Sequence, residues 1–408
     1  MDTRLSTICC VVGGGPAGMM AGFLLARAGV EVVVLEKHGD FLRDFRGDTI
    51  HPSTLELMHE LGLLEEFLKL PHEEAHGLHG QVGRETVEIA DFTHLPTYCR
   101  FIVFMPQWDF LDFLAEHAAG FRGFALHRRV EATGLIEEDG RITGVRAQGP
   151  DGAVEIRADL VIGADGRHST VRRDAGLAVD ELGAPMDVLW FRLPRRPDDP
   201  REPLGIFQSG HILVLINRGD TWQCGYVIPK GSIDRLRRTG VQAVRDAVAQ
   251  MAPVVADRTG EIRGWDDLKL LTVAVDRLRR WHRPGLLCIG DAAHAMSPIG
   301  GVGINLAIQD AVAAANILAG PLRERSATEE LLRQVQARRE FPTRVTQRLQ
   351  LTIQNRVISS VLEQRPGGDE VAPPLPLRLL ARYPVLRRIP ARLLGLGVRP
   401  EHIKTAAA

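Results

Sequence analysis

Several things are scarce in this chain, and each scarcity closes a route. Charge of either sign is not in excess: 50 Lys and Arg face 51 Asp and Glu over 408 residues, a formal net charge of -1. That excludes a polycationic nucleic-acid binder and an acidic tail protein. Cysteine is sparse and unpatterned. Cys9, Cys10, Cys99, Cys224 and Cys288 form no CxxC pair and no Cys/His cluster, so no metal site is expected and a reducing compartment is. The first residues, MDTRLSTICCVV, lack the charged-then-apolar profile of a secretion signal. No apolar run of about 18 residues stands out as a membrane span, and the expected location is cytoplasmic. Tyrosine occurs only at positions 98, 226 and 383, so a tyrosine relay for a phenol is not evident. The rest is ordinary for a globular protein: 45% hydrophobic and 25% charged residues, enough for two domains or one large domain with an inserted layer.

The amino terminus carries the first motif. STICCVVGGGPAGMMAGFLLARAGVEVVVLEKH reads as strand (7–12), tight turn, helix (19–28), stop at Gly29 and second strand (31–35). The turn fills a G-x-G-x-x-G pattern. Gly13 makes the sharp bend, Gly15 lets the backbone approach a pyrophosphate, and Gly18 lets helix and strand pack closely. With Pro16 and Ala17 they open a helix whose free N–H groups and positive dipole end suit phosphates. Glu36, followed by Lys37, ends the second strand, where a carboxylate takes both hydroxyls of an adenosine ribose. The unit predicts dinucleotide binding without separating FAD from NAD.

A second signature lies at 158–173, ADLVIGADGRHSTVRR, an apolar strand ending at Asp165-Gly166. It follows runs separated by Asp-Gly turns at 139–140 and 151–152, which read as a β-meander feeding a central strand. A third lies at 290–310, GDAAHAMSPIGGVGINLAIQD, after a strand predicted over 286–289.

With these three motifs in this order, the chain resembles the FAD-dependent monooxygenases of the para-hydroxybenzoate hydroxylase type, the group A flavoprotein hydroxylases, over nearly all of residues 5–340. The resemblance implies an α/β fold: a Rossmann-type FAD-binding domain with an inserted antiparallel β-sheet substrate domain and a C-terminal helical segment. It implies that Asp291 holds the ribityl chain, that Pro298 lies against the isoalloxazine as a catalytic neighbour, and that Gly301, Gly303, Ile304 and Asn305 bring N–H groups to the flavin N1/O2 edge. A positive helix end there stabilises the reduced flavin anion. Asp165 and Gly166 belong to the same cofactor set. Arg46 and Gly47 match a polar flavin loop, followed by a helix from about Ser53 with Ser/Thr capping. Gln107, opening another helix, matches a cofactor-contacting position. His294 reads as orienting its turn rather than moving protons.

The expected boundaries are 1–180 and 277–325 for the two parts of the FAD-binding domain, 181–276 for the substrate sheet and 326–408 for the C-terminal segment. Short β-rich runs fill 181–276, interrupted by one helix over about 234–251. Trp190, Arg192, Phe207, His211, Leu213, Leu215, Trp222 and Tyr226 are its candidate substrate-facing residues. Alternation places His211, Leu213 and Leu215 on one face without saying which face is inward; His211 is the candidate base for a phenol. Ser326 with Glu329 reads as a capping box, Pro342 as a kink in the helix that follows, and RPGGDEVAPPLP as a linker. Residues 377–404, basic and leucine-bearing, suit either a membrane surface or packing on the domain, and packing is the expectation.

The leading reading is an NAD(P)H- and O2-dependent monooxygenase that hydroxylates or epoxidises a small aromatic or conjugated molecule through a C4a-hydroperoxyflavin. With one dinucleotide fold, NAD(P)H is a transient co-substrate bound in a groove. The alternatives are an FAD-dependent reductase or dehydrogenase of the same fold without oxygen insertion, or a flavin-carrying binding protein. No WxWxIP halogenase signature is present. Monomer and homodimer both fit.

Overall fold

The computed structural model describes residues 3–42, 49–83, 85–364 and 375–408. The first strand, Thr3–Val12, starts earlier than the apolar run suggests. Its leading Thr3–Ser6 stretch pairs in parallel with residues 154–157 of the long strand Gly152–Gly163, a partner invisible to local composition. On its other side lies Val32–Glu36, also parallel. The sheet runs His282–Arg283, Leu286–Cys288, Gly152–Gly163, Thr3–Val12, Val32–Glu36, Phe124–Arg128. Arg141–Gly149 and Glu131–Glu138 extend it as the expected antiparallel meander. Strands buried on both faces explain their near-continuous apolar sequence.

The helices Pro16–Arg27 and Val302–Arg323 pack against each other over this sheet. The second corrects the expectation that no apolar span exists: it is long and apolar enough to cross a membrane by composition, but 78% of its apolar window is buried. Burial on all sides calls for the same sequence as a bilayer does.

The second sheet runs Lys269–Leu271, Met186–Pro194, Thr221–Pro229, His211–Asn217, Leu204–Gln208, Gly77–Val82, Glu85–Asp91. Its last two strands come from outside residues 181–276, joined through a parallel pairing of Leu204–Gln208 with Gly77–Val82. Such pairing needs a long crossover and leaves no local signature. Its helical insert is two helices, Ile233–Thr239 and Val241–Met251, because Gly240 at φ 88° breaks the run.

Two caps differ from expectation. The Pro52–Glu60 helix has His51 at its N-cap with no side-chain cap; Pro52 at the first position supplies the preset φ instead. The later helix, Glu329–Ile353, starts after Thr328, so no Ser326 capping box forms; Glu329 and Glu330 sit against the positive helix end. That helix runs through Pro342, then a π turn Gln354–Ile358 and a last turn Ser359–Leu362. Most of the expected linker lies outside the described residues. The tail forms Leu375–Arg382 and Arg388–Gly395, with Ala391 and Gly395 buried and Arg387 paired to Glu88 at 2.6 Å. Its outer side leaves Leu375, Tyr383, Val385 and Ile389 exposed.

Candidate cofactor groove and active site

The three glycines of the first turn do three different jobs. Gly13 has φ 107°, and a Cβ there would lie 2.4 Å from the Ala164 carbonyl oxygen. A Cβ on Gly18 would lie 1.9 Å from the Gly13 oxygen. Those two are required by the protein's own packing. Gly15 is different: a Cβ built on it meets nothing within 4 Å. It caps the Pro16–Arg27 helix with no side-chain hydrogen bond and no acid in the first turn. The opening N–H groups around Pro16, Ala17 and Gly18 are thus left for an anion at a positive helix end.

Glu36 is buried where its strand ends. Its Oε2 accepts from the Gly14 N–H at 3.1 Å and its Oε1 from the His38 N–H at 2.9 Å. Gly14 was only a spacer in the sequence pattern. The structure gives it a reason, since its Cβ would stand 2.9 Å from Glu36 Cβ. Lys37 points away, exposed and 4.0 Å from Glu131. Arg46 lies outside the described residues. Gln107 opens the Gln107–Ala119 helix, half-buried, with no side-chain hydrogen-bond partner among the described residues.

Asp165 turns its carboxylate inward. It accepts from Ser169 Oγ at 2.5 Å and the Val171 N–H at 3.1 Å, pinning the Thr170–Asp174 helix. Burial pushes its pKa up against those hydrogen bonds. What the Asp165-Gly166 turn offers the groove is main chain, with Gly166 at φ 83° and open space where a Cβ would be.

In the third motif Asp291 is exposed between buried Gly290 and Ala292. His294 is fully buried and reaches Asp310 at 2.6 Å through Nε2. Asp310 also accepts from the Gly290 N–H at 3.1 Å and from Arg339 Nε at 3.0 Å. Burial alone would raise the Asp310 pKa; His294 and Arg339 outweigh it and hold the carboxyl below its ordinary range. His294 therefore braces the turn. Gly300 and Gly301, at φ 75° and 62°, swing the chain into the Val302–Arg323 helix, which no side chain caps. Pro298 is half-buried at the start of that swing, and Gly303 borders Met296.

Ile304 is core. The side chain of Asn305 is engaged within the protein rather than aimed at the groove: Oδ1 accepts from the His51 N–H at 2.9 Å and Thr54 Oγ1 at 2.8 Å, and Nδ2 donates to Thr49 O at 3.0 Å. It bolts the helix to residues 49–54. His51, fully buried, donates from Nδ1 to Leu394 O of the tail at 2.7 Å, and burial lowers its pKa to about 4 despite the Leu394 and Gly300 carbonyls.

Taken together, an unobstructed glycine at one uncapped helix, a strand-end carboxylate and a second uncapped helix entered through two left-handed glycines fit a dinucleotide laid across the strand ends. The FAD binding domain family matches residues 6–349. The chain belongs to this family. It is 35% identical over 387 residues to 6-methylpretetramide 4-monooxygenase of Streptomyces rimosus, covering 94% of this chain and 92% of that one. Rifampicin monooxygenase of Streptomyces venezuelae is 30% identical over 313 residues, 74% of this chain and 61% of that longer protein. The solved p-nitrophenol 4-monooxygenase PnpA of Pseudomonas putida DLL-E4 shares the fold, with TM-score 0.78 at 20% identity over 98% of this chain and 100% of that one. This member of the family is an FAD-dependent monooxygenase using NAD(P)H and O2, and not the oxygen-independent reductase that the same fold allows.

The second sheet resolves the face that alternation left open. Leu213, Leu215, Trp222 and Tyr226 pack on Val244, Val248 and Met251 of the helical insert. His211 shares that strand face, with Nδ1 2.6 Å from Tyr226 Oη. Burial lowers the His211 pKa and lifts that of Tyr226 to about 12. The opposite face carries Trp190, Phe207, Ile212 and Val227, and it clusters with Ile358, Val361 and Leu362 after the long C-terminal helix and with Ile299 of the third motif. His211 thus lies on the opposite face of the sheet from the one that meets Ile299. The Trp190 ring crosses Gly225, whose added Cβ would stand 3.0 Å from it.

Proposed function

We propose that this monooxygenase inserts one oxygen atom into an aromatic polyketide, a fused-ring phenol of the chemistry named in its relatives 6-methylpretetramide 4-monooxygenase and anhydrotetracycline monooxygenase. The observation that carries the reading is the apolar sheet face beside the third motif: Trp190, Phe207, Ile212 and Val227 cluster there with Ile299, the Ile358, Val361 and Leu362 side chains cover part of the same face, and what remains beside Ile299 suits a flat ring system.

When bound, FAD accepts a hydride from NAD(P)H and activates O2. The remaining work belongs to the chain. Gly15 leaves room for the diphosphate, and the Pro16–Arg27 helix turns its N-terminus to it. Glu36, held at the strand end by two N–H donors, would accept from the ribose hydroxyls. Asp291 would hold a ribityl hydroxyl, and the Val302–Arg323 N-terminus and Pro298 would border the flavin ring. The apolar sheet face excludes water around the ring to be oxidised. Among the described residues, that face of the four central strands has no carboxylate or imidazole. A phenolic polyketide needs none, because its own hydroxyls make the ring electron-rich.

The test is NAD(P)H oxidation by the FAD-loaded protein against a panel of fused-ring phenols and simple monocyclic phenols. Stimulation by the fused-ring compounds, with one atom of labelled O2 in the product, is expected. Stimulation by monocyclic phenols alone, or an unlabelled product, refutes the substrate class or the insertion.

A further inference from the structure

The Glu329–Ile353 helix and its π turn bury a polar stripe where a core-facing helix ordinarily buries an apolar one. Gln336, Arg339, Thr343, Gln347, Gln350 and Gln354 recur at steps of three and four, and none is more than 9% exposed. Buried carboxamides are costly unless bonded, and these are bonded to one stretch of chain. Gln336 accepts from the Trp281 N–H at 2.9 Å and donates to Arg279 O at 3.0 Å. Gln347 donates to Asp276 O at 2.7 Å and Ala295 O at 3.1 Å. Gln350 accepts from the Ser297 N–H at 3.2 Å and donates to Ser297 O and Ile299 O, both at 2.9 Å. Gln354 donates to Ser297 Oγ at 2.8 Å.

The stretch gripped at the far end, residues 295–299, belongs to no strand. Ala295 still meets the Asp276–Leu278 strand, its carbonyl accepting from the Asp276 N–H at 3.3 Å, but among the described residues no strand pairing reaches Ser297 to Ile299, and buried main-chain groups need partners. Gln350 supplies what a neighbouring strand would: it holds both polar groups of Ser297 and the carbonyl of Ile299. Those contacts bracket Pro298, which has no N–H of its own to anchor it.

We propose that Gln350 is a positioning residue for the oxygenation, setting where Pro298 and the Gly300–Gly301 turn stand against the flavin. This rests on the reading above that the Pro298–Asn305 segment meets the flavin ring. Gln350 touches neither cofactor nor substrate and acts through the main chain it holds. A glutamine is suited to this because a single planar group offers one acceptor and two donors in fixed geometry.

Four variants test it on the FAD-loaded protein. Gln350→Leu keeps the volume and removes all three bonds. The FAD dissociation constant should rise about tenfold, the equivalent of about 1.4 kcal/mol or one hydrogen bond. The visible flavin bands should shift, and more peroxide should be released per NAD(P)H. Gln336→Leu loses two main-chain bonds 14 positions earlier on the same helix, about 21 Å along its axis; it should lower the melting temperature comparably and leave the flavin bands alone. If Gln350→Leu does not fold, Gln350→Glu keeps the acceptor for Ser297 but sets a carboxylate against two carbonyls. Its flavin shift should fade as pH falls and the carboxyl regains a donor. Pro298→Ala should shift the bands by itself. A Gln350→Leu protein with wild-type bands and FAD affinity, or one matched by Gln336→Leu in both, overturns the positioning role while Pro298→Ala still shifts them. Wild-type bands in both Pro298→Ala and Gln350→Leu overturn instead the placement of the segment at the flavin.

Discussion

Two alanines, three residues apart, should fail in opposite ways. Gly15 has φ -75° and ψ -176°, open to any residue, and its added methyl meets no protein atom within 4 Å. Gly15→Ala should leave the apoprotein within about 0.5 kcal/mol of wild type, since it costs only a weak cap preference and removes some freedom from the unfolded chain. The methyl occupies the space through which the diphosphate approaches. Crowding of that kind costs about 1–3 kcal/mol, or roughly 5- to 150-fold in the FAD dissociation constant. Gly18→Ala puts its methyl 1.9 Å from the Gly13 oxygen. Backbone must move there, so the apoprotein itself should lose about 1–3 kcal/mol or more. Thermal melts of the two apoproteins and FAD titration by fluorescence quenching separate the cases. A Gly15→Ala protein that binds FAD like wild type, or whose apoprotein melts as early as Gly18→Ala, refutes the assignment of Gly15 to the cofactor side.

Three further outcomes are expected. Asp291→Ala should weaken FAD by about 1.5–3 kcal/mol, the range for a hydrogen bond to a charged group, beyond whatever it costs the apoprotein in thermal melts; unchanged FAD affinity would leave Asp291 as a turn residue only. His51 titrates at about 4 in the fold against 6.5 ordinarily. The unfolded chain therefore binds the extra proton between those values, stability falls as pH drops from 6.5 toward 4, and about 2–3 kcal/mol is lost by pH 4.5. His51→Asn keeps an N–H donor but does not titrate, so denaturant melts across that window should show a flatter pH dependence; an identical slope would refute the assignment. Arg339→Met leaves buried Asp310 to His294 and the Gly290 N–H, and Glu401 to Arg338, and should cost about 3–5 kcal/mol in urea unfolding, whereas a loss below about 1 kcal/mol would mean that those partners or water make up for it.

What was legible in the sequence was whatever rests on short-range sterics. Gly13 and Gly18 could be assigned from spacing because a strand–turn–helix unit leaves no room for a Cβ at those points, and Glu36 because it ends a strand beside that turn. Gly14 could not, since its constraint is the approach of Glu36, 22 residues on. Asn305 was placed with the cofactor residues because it sits inside a glycine-rich motif. Its actual partners, Thr49, His51 and Thr54, lie some 250 positions away, and no local pattern announces them. His211 shows the limit of strand periodicity. Alternation correctly grouped it with Leu213 and Leu215, but which face the helical insert covers is settled only by tertiary packing. The glutamine stripe did leave a signal, polar residues at steps of three and four. Amphipathic reasoning assigns such a stripe to solvent, and here it faces the core because its partners are main-chain groups rather than side chains.

The family match ends at residue 349, yet the tail beyond it is wired into the third motif from two directions. From one side Glu401 accepts from Arg339 at 3.2 Å and from Arg338 at 2.7 Å, and Arg339 passes that hold to Asp310, which grips Gly290 and His294. From the other, Leu394 receives the His51 hydrogen bond and lies where a side chain on Gly300 would sit, 2.7 Å from the added Cβ. Gly300 has the left-handed conformation that leads into the motif helix, and the tail fills the space beside it that a side chain would need. A buried charge cluster of this kind adds little net stability over an apolar core, but it penalises any arrangement that leaves a member unpaired. The tail is thus tied to the geometry of the turn as well as to the stability of the fold. The Arg339→Met protein is where these separate: an apolar replacement recovers packing but not the register of Gly290, so FAD retention should fall further than the melting temperature alone accounts for.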